Sequence, residues 1–151
     1  MFDTSYIGHV FSPFSVEVEK APLRLFAKSI GENDPVYYDE QAAQTAGHRS
    51  ILAPPTYAFS LRNLGPFLSE LDALLEIGDA VHLHGEQSFE YSRPFYAGDT
   101  LSFSERITDI YSKAGGRLDF AVTETEVINQ HGKLVVKLRS TSVVQRTGAD
   151  S

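Results

Sequence analysis

The sequence predicts an α+β fold in which a bent antiparallel sheet wraps around one long central helix. Three observations predict it. From Val81 onward the apolar residues recur at every second position through four stretches, 81–92, 100–112, 117–129 and 133–145. That is the period of strands with one buried face. Turn-forming residues divide these stretches: Gly98-Asp99, Ala114-Gly115-Gly116, and Asn129 to Gly132. The last two connections are short enough for hairpins. Upstream, Tyr57, Ala58, Phe59, Leu61 and Leu64 form a helical run that is apolar nearly all round. Such a helix has no face to give to water and must be enclosed. Strands of ~10 residues or more twist and curl, which suits a sheet closing over a rod.

The N-terminal third supplies one more strand and two short helices. Phe14 to Lys20 alternates, with Phe14, Val16 and Val18 on one face. Pro22 suits a first helical turn, Leu23, Phe26, Ala27 and Ile30 follow at helical spacing, and Gly31 is a stop signal. Asp34-Pro35 forces an extended or turn conformation. Asp39 to Gly47 reads as a short helix. Pro54 and Pro55 open the central helix, where a fixed φ helps and no needed donor is lost. Gly65-Pro66 ends it, and Phe67 to Ile77 adds a further amphipathic turn or two before Gly78-Asp79.

The chain has 151 residues, the size of a single domain, taken as 1–151. At 42% hydrophobic it carries enough apolar residues for a core. A net charge of −7 with no basic stretch argues against nucleic acid as the main partner. The absence of cysteine excludes disulfides, thiolate metal sites and a cysteine nucleophile, and fits a cytoplasmic protein. The first residues lack the basic and apolar regions of a secretory signal. No window reaches the ~20 apolar residues that cross a bilayer, so no membrane role is expected.

Three segments, in order, carry a family resemblance. Gly31 to His48, GENDPVYYDEQAAQTAGH, resembles the G-D-x-N-P-x-H-x-D segment of MaoC-like hydratases. Ile51 to Tyr57, ILAPPTY, resembles the start of their central helix, and Arg93 to Leu101, RPFYAGDTL, resembles their R-P-x-x-x-G-D-x-L turn. Together the three are more specific than any one alone. They cover about residues 10–145 and are most similar to the MaoC N-terminal type, related to the fungal fatty-acid-synthase dehydratase domain. The resemblance implies the hot-dog fold, in agreement with the pattern above. It also implies reversible addition of water to an enoyl thioester of CoA or acyl carrier protein, in fatty acid metabolism, with no metal and no cofactor. That chemistry needs a carboxylate and an imidazole for water and the C2 proton, and a donor for the enolate oxygen.

Carried over by position, the catalytic Asp falls on Glu32 and the catalytic His on Tyr37. Asp34 takes the place of the motif Asn. The His-Gly of the central helix falls on Pro54-Pro55, so the expected N–H is missing at Pro55. With Thr56 and Tyr57, residues Asp34, Pro54 and Pro55 are the expected substrate-binding set. A phenol with an ordinary pKa near ~10 moves protons poorly at neutral pH. The resemblance therefore implies a degenerate hot dog that binds substrate and pairs with a catalytic MaoC-like subunit, or with a second copy in a larger assembly. Two alternatives stand beside it. One is an autonomous homodimeric hydro-lyase using Glu32 as acid and base. The other is an acyl-thioester-binding module without chemistry.

Plainer readings exist for each residue. Glu32, Asp34 and Asp39 suit turn and helix-cap roles. Tyr37 and Tyr38 suit packing with a satisfied hydroxyl. His82, His84 and Glu86, at i, i+2 and i+4, are expected to share one strand face, as a polar surface first and a metal site second. His48 and His131 are expected at the surface. Arg93-Pro94 and Gly98-Asp99 are assigned mainly to the fold.

Overall fold

A computed structural model describes residues 1–145. The elements run β1 (Phe14–Glu17), α1 (Lys20–Ser29), a 3₁₀ turn (Pro35–Tyr37), α2 (Glu40–Thr45), α3 (Tyr57–Arg62), α4 (Phe67–Leu74), β2 (Val81–Tyr91), β3 (Thr100–Lys113), β4 (Leu118–Asn129) and β5 (Leu134–Gln145). The five strands form one antiparallel sheet in the order β1-β3-β4-β5-β2. The four strands predicted from Val81 onward match the observed ones to within a residue at each end, but only β3, β4 and β5 follow one another in the sheet; β2 lies beside β5, so the four do not form the simple meander expected of consecutive strands.

The N-terminal strand is shorter than predicted. It ends at Glu17, and Val18 is fully buried with its N–H donating to the Asp99 carbonyl at 2.8 Å. The central rod breaks where Gly65-Pro66 is predicted to end its first helix, but α3 has only six residues, so the rod is two short helices, α3 and α4, and not one long one. Gly65 and Pro66 are the cause. Pro66 has no N–H with which to continue the α3 ladder. At Gly65 the Phe14 ring occupies the space a side chain would need, 2.2 Å from an ideal Cβ. That ring stacks on Phe103 at 4.8 Å and meets Phe67 edge-on at 5.3 Å. The elbow of the rod is therefore filled by an aromatic side chain from the sheet's first strand.

The inner faces of α3 and α4 present Tyr57, Ala58, Leu61, Phe67 and Leu71, all buried against Leu101, Phe103, Ile107, Val127, Val136 and Leu138 of the sheet. A buried ion pair crosses this interface. Arg62, 4% exposed, donates through Nε to Glu105 Oε2 at 2.8 Å and through Nη2 to Oε1, while Thr125 Oγ1 donates to Oε2 at 3.0 Å. Glu105 lies at the inward phase of β3, between Phe103 and Ile107.

A bulge at Gly85 shifts the β2–β5 register between His84 and Glu86. It overturns the expected common face of His82, His84 and Glu86, because one extra residue flips the alternation. His84 stacks near Phe59 of α3 at 5.3 Å, and His82 Nδ1 lies 2.9 Å from Asp72 Oδ1 of α4. Beyond the bulge Gln87 and Phe89 turn inward, Gln87 accepting from Ser140 and Phe89 packing on the core. Among the described residues no group of three His, Asp or Glu side chains is placed to hold a metal ion. Among them, too, no helix is long and apolar enough to cross a membrane.

Candidate functional site

Three separated segments meet to form a cavity of about 400 Å³: Tyr37 from the 3₁₀ turn, Leu52, Ala53 and Pro55 from the approach to α3, and Tyr91 to Phe95 after β2. Its wall is almost wholly apolar. The local sequence explains how each segment is held.

Asp34 starts the 3₁₀ turn, its Oδ1 accepting from the Val36 N–H at 3.0 Å, with Pro35 pre-set for the first position. The turn is tied to its neighbours. Leu52 N–H donates to the Val36 carbonyl at 3.1 Å, the Tyr38 hydroxyl donates to the Glu32 carbonyl, and Arg24 Nε donates to the Tyr38 carbonyl at 2.8 Å.

The second and third segments bind each other. Ala53 N–H donates to the Phe95 carbonyl and Ala97 N–H to the Ile51 carbonyl, each at 3.0 Å. Asp99, 1% exposed, fixes this pairing. Its Oδ2 accepts from the Tyr96 N–H at 2.8 Å, and its Oδ1 accepts from Gln130 Nε2 at 2.7 Å and from Arg49 Nη2. Arg49 also lies over the Tyr96 ring at 4.7 Å. Gly98-Asp99 therefore serves the fold, by holding the cavity wall in place. His48 is half-buried rather than superficial, its Nδ1 sitting 3.3 Å from the Tyr96 hydroxyl.

The expected site residues divide into two groups. Tyr37 and Pro55 line the cavity. Glu32 and Asp34 close their own loop: Glu32 Oε1 accepts from the N–H groups of Asn33 at 2.9 Å and Asp34 at 3.2 Å. Pro54 is buried behind the wall, Thr56 is exposed at the start of α3, and Tyr57 is buried against Phe26 at 5.0 Å. Burial pushes the Tyr37 phenol above its ordinary pKa, and the charges of Glu32 and Asp34 add to the effect. Burial alone raises the Tyr91 phenol. Both hydroxyls are thus protonated at neutral pH, able to donate and accept hydrogen bonds but poor as bases. Among the described residues the cavity wall holds no carboxylate and no imidazole.

Sequence reading passed over Leu52, Tyr91, Arg93 and Phe95 as wall residues. Arg93 offered a signal: it is a cation between a strand and a proline, beside a run otherwise apolar or aromatic.

Residues 5–138 match the FAS1-like dehydratase domain region. The chain belongs to that family. A UPF0336 protein of Streptomyces griseus is 35% identical over 137 residues, covering 89% of each chain. Among solved structures, the HadBC complex of Mycobacterium tuberculosis, a (3R)-hydroxyacyl-ACP dehydratase, superposes with a TM-score of 0.76 at 25% identity, over 91% of this chain and 96% of that one. A MaoC-like dehydratase superposes with a TM-score of 0.80 at 24% identity, over 95% of this chain and 43% of that one. The fold is the hot-dog fold of the MaoC-like dehydratases and hydratases, as the sequence motifs imply.

Proposed function

We propose that this chain is the substrate-binding subunit of a two-part (3R)-hydroxyacyl-thioester dehydratase or enoyl-thioester hydratase of the cytoplasm. One observation carries the reading. The apolar cavity lies where the family's site is expected, yet Tyr37 and Pro55 stand on its wall in place of the imidazole and the helix-start donor. The space suits an acyl chain, and the groups that would move protons are missing. Losing acid–base catalysis costs roughly 10²–10⁴ in rate, and losing one oxyanion donor roughly 10²–10³. The other half of the assembly supplies those groups.

The partner binds at the free edge of β2. Among the described residues that strand pairs only with β5, and the open edge offers a row of backbone donors and acceptors to another chain. Val81 and Leu83 of β2, with Leu64 and Leu68 nearby in sequence to α3 and α4, are exposed large apolar residues. The heteromeric make-up of the HadBC complex supports a partner subunit.

The test is turnover of crotonyl-CoA. The purified chain alone is expected to show no rate above background. Co-expression with a hot-dog subunit carrying an intact G-D-x-N-P-x-H segment is expected to restore hydration. Fast turnover by the chain alone would overturn the reading and favour the homodimeric alternative, in which Glu32→Gln must abolish activity. Against that alternative, the Glu32 carboxylate is already engaged with its own loop.

A further inference from the structure

We infer that Arg93 donates a hydrogen bond to the carbonyl oxygen of the bound acyl thioester, in the role that Pro55 cannot fill. The inference rests on the thioester-binding reading above.

Among the described residues Arg93 is the one charged side chain on the cavity wall. Its backbone is held firmly. The N–H groups of Ser92 and Arg93 both donate to the Val135 carbonyl, at 2.9 and 3.2 Å, and Pro94 fixes the next φ. Its head is held too, because Nε donates to the Leu134 carbonyl at 2.6 Å. This bond uses one of five N–H groups and orients the guanidinium plane. The four donors on the two Nη atoms have no partner among the described residues, and no carboxylate there pairs with the side chain. Arg93 is exposed, so these donors are open to an incoming ligand.

The geometry selects the oxygen it serves. An acyl chain fills the apolar space, and the first polar group beyond it is the thioester carbonyl. The phosphate of CoA or of a carrier protein is the full length of the pantetheine arm further on. Pro55, on the same wall, offers no N–H to that carbonyl. A fixed guanidinium is a strong donor for an oxygen that gains negative charge as the enolate forms.

The test compares two ligands on one protein. Decanoyl-CoA carries the carbonyl oxygen, and S-decyl-CoA, its thioether, lacks it while keeping the chain, the arm and every phosphate. Titration calorimetry on the full chain is expected to show the thioester bound about tenfold more tightly than the thioether. In Arg93→Met the ratio is expected to collapse to near one, and in Arg93→Lys part of it survives. The ratio is taken within each protein, so a folding defect that weakens both ligands alike leaves it unchanged. If both ligands bind and Arg93→Met leaves the ratio intact, or weakens both equally, the assignment of Arg93 is wrong while thioester binding stands. If neither ligand binds even the unaltered chain, both readings fall.

Discussion

Removing Glu105 isolates Arg62 inside the protein, and the structure sets the size of the effect. The carboxylate accepts two bonds from Arg62 and one from Thr125, with both charged side chains under 5% exposed. In Glu105→Ala the guanidinium, 4% exposed, keeps one side-chain hydrogen bond, to Asn63 Oδ1 at 3.2 Å. Breaking a buried pair by deleting one partner costs roughly 3–5 kcal/mol, chiefly because the other charge is stranded. Domains have about 5–15 kcal/mol in total, so the variant loses a large share. At roughly 2–4 °C per kcal/mol for a chain of this size, its Tm falls by ~6–20 °C. The double variant Arg62→Met/Glu105→Leu removes both charges and keeps most of the volume. It is expected to recover to within ~2 kcal/mol of the unaltered chain, since apolar replacements of buried pairs are often neutral or better. Urea unfolding followed by circular dichroism on the cycle of Arg62→Met, Glu105→Leu and the double variant, beside Glu105→Ala, measures the coupling. A Glu105→Ala cost below ~1 kcal/mol, or a cycle additive within ~0.5 kcal/mol, would show that the pair is solvated in solution and does not clamp α3 to the sheet.

Three further outcomes follow from single residues. Gly65→Ala drives a methyl group into the Phe14 ring at 2.2 Å and is expected to lower stability by ~1–3 kcal/mol, read as a shift in urea midpoint without a change in slope. Asp99→Asn puts an amide among the donors Tyr96 N–H, Gln130 and Arg49; a loss of ~1–3 kcal/mol is expected, with faster amide exchange at Ala53 and Ala97 reporting a loosened cavity wall. Tyr37, its folded pKa raised, contributes stability that is complete below the unfolded value near ~10 and is lost as pH rises through the folded value. Subtracting the ultraviolet pH titration of Tyr37→Phe from that of the unaltered chain should therefore leave a phenolate transition above pH ~10, and a transition at or below it would contradict the assigned environment.

Much of the fold is legible because its information is periodic. Alternation from Val81 and the Gly-containing turns mark the four long strands, and β3, β4 and β5 bury one face, so the pattern and the structure answer to the same constraint. Where a single residue resets the phase, the pattern misleads: Gly85 inserts one position, and Glu86 leaves the face of His82 and His84. Where a charge lies at an apolar phase, the pattern is informative if followed. Glu105 takes the inward position between Phe103 and Ile107, and Arg62 is the cation of an otherwise apolar helix. Two such violations on facing elements imply each other, because neither charge could be buried alone.

The cavity was legible only in part, for a different reason. Tyr37, Leu52 to Pro55 and Tyr91 to Phe95 come together through backbone bonds between irregular segments, and no local period encodes those. Motif comparison located Tyr37 and Pro55 because they occupy positions where the family's chemistry is expected. It assigned Arg93-Pro94 to the fold because Pro94 ends ladder pairing, and this is correct for the proline. For the arginine the same turn has a second consequence: a residue held by the Leu134 and Val135 carbonyls at the end of β2 must project beside whatever the turn encloses. Arg93 is exposed, so its remaining guanidinium donors face solvent until a ligand oxygen replaces the water there.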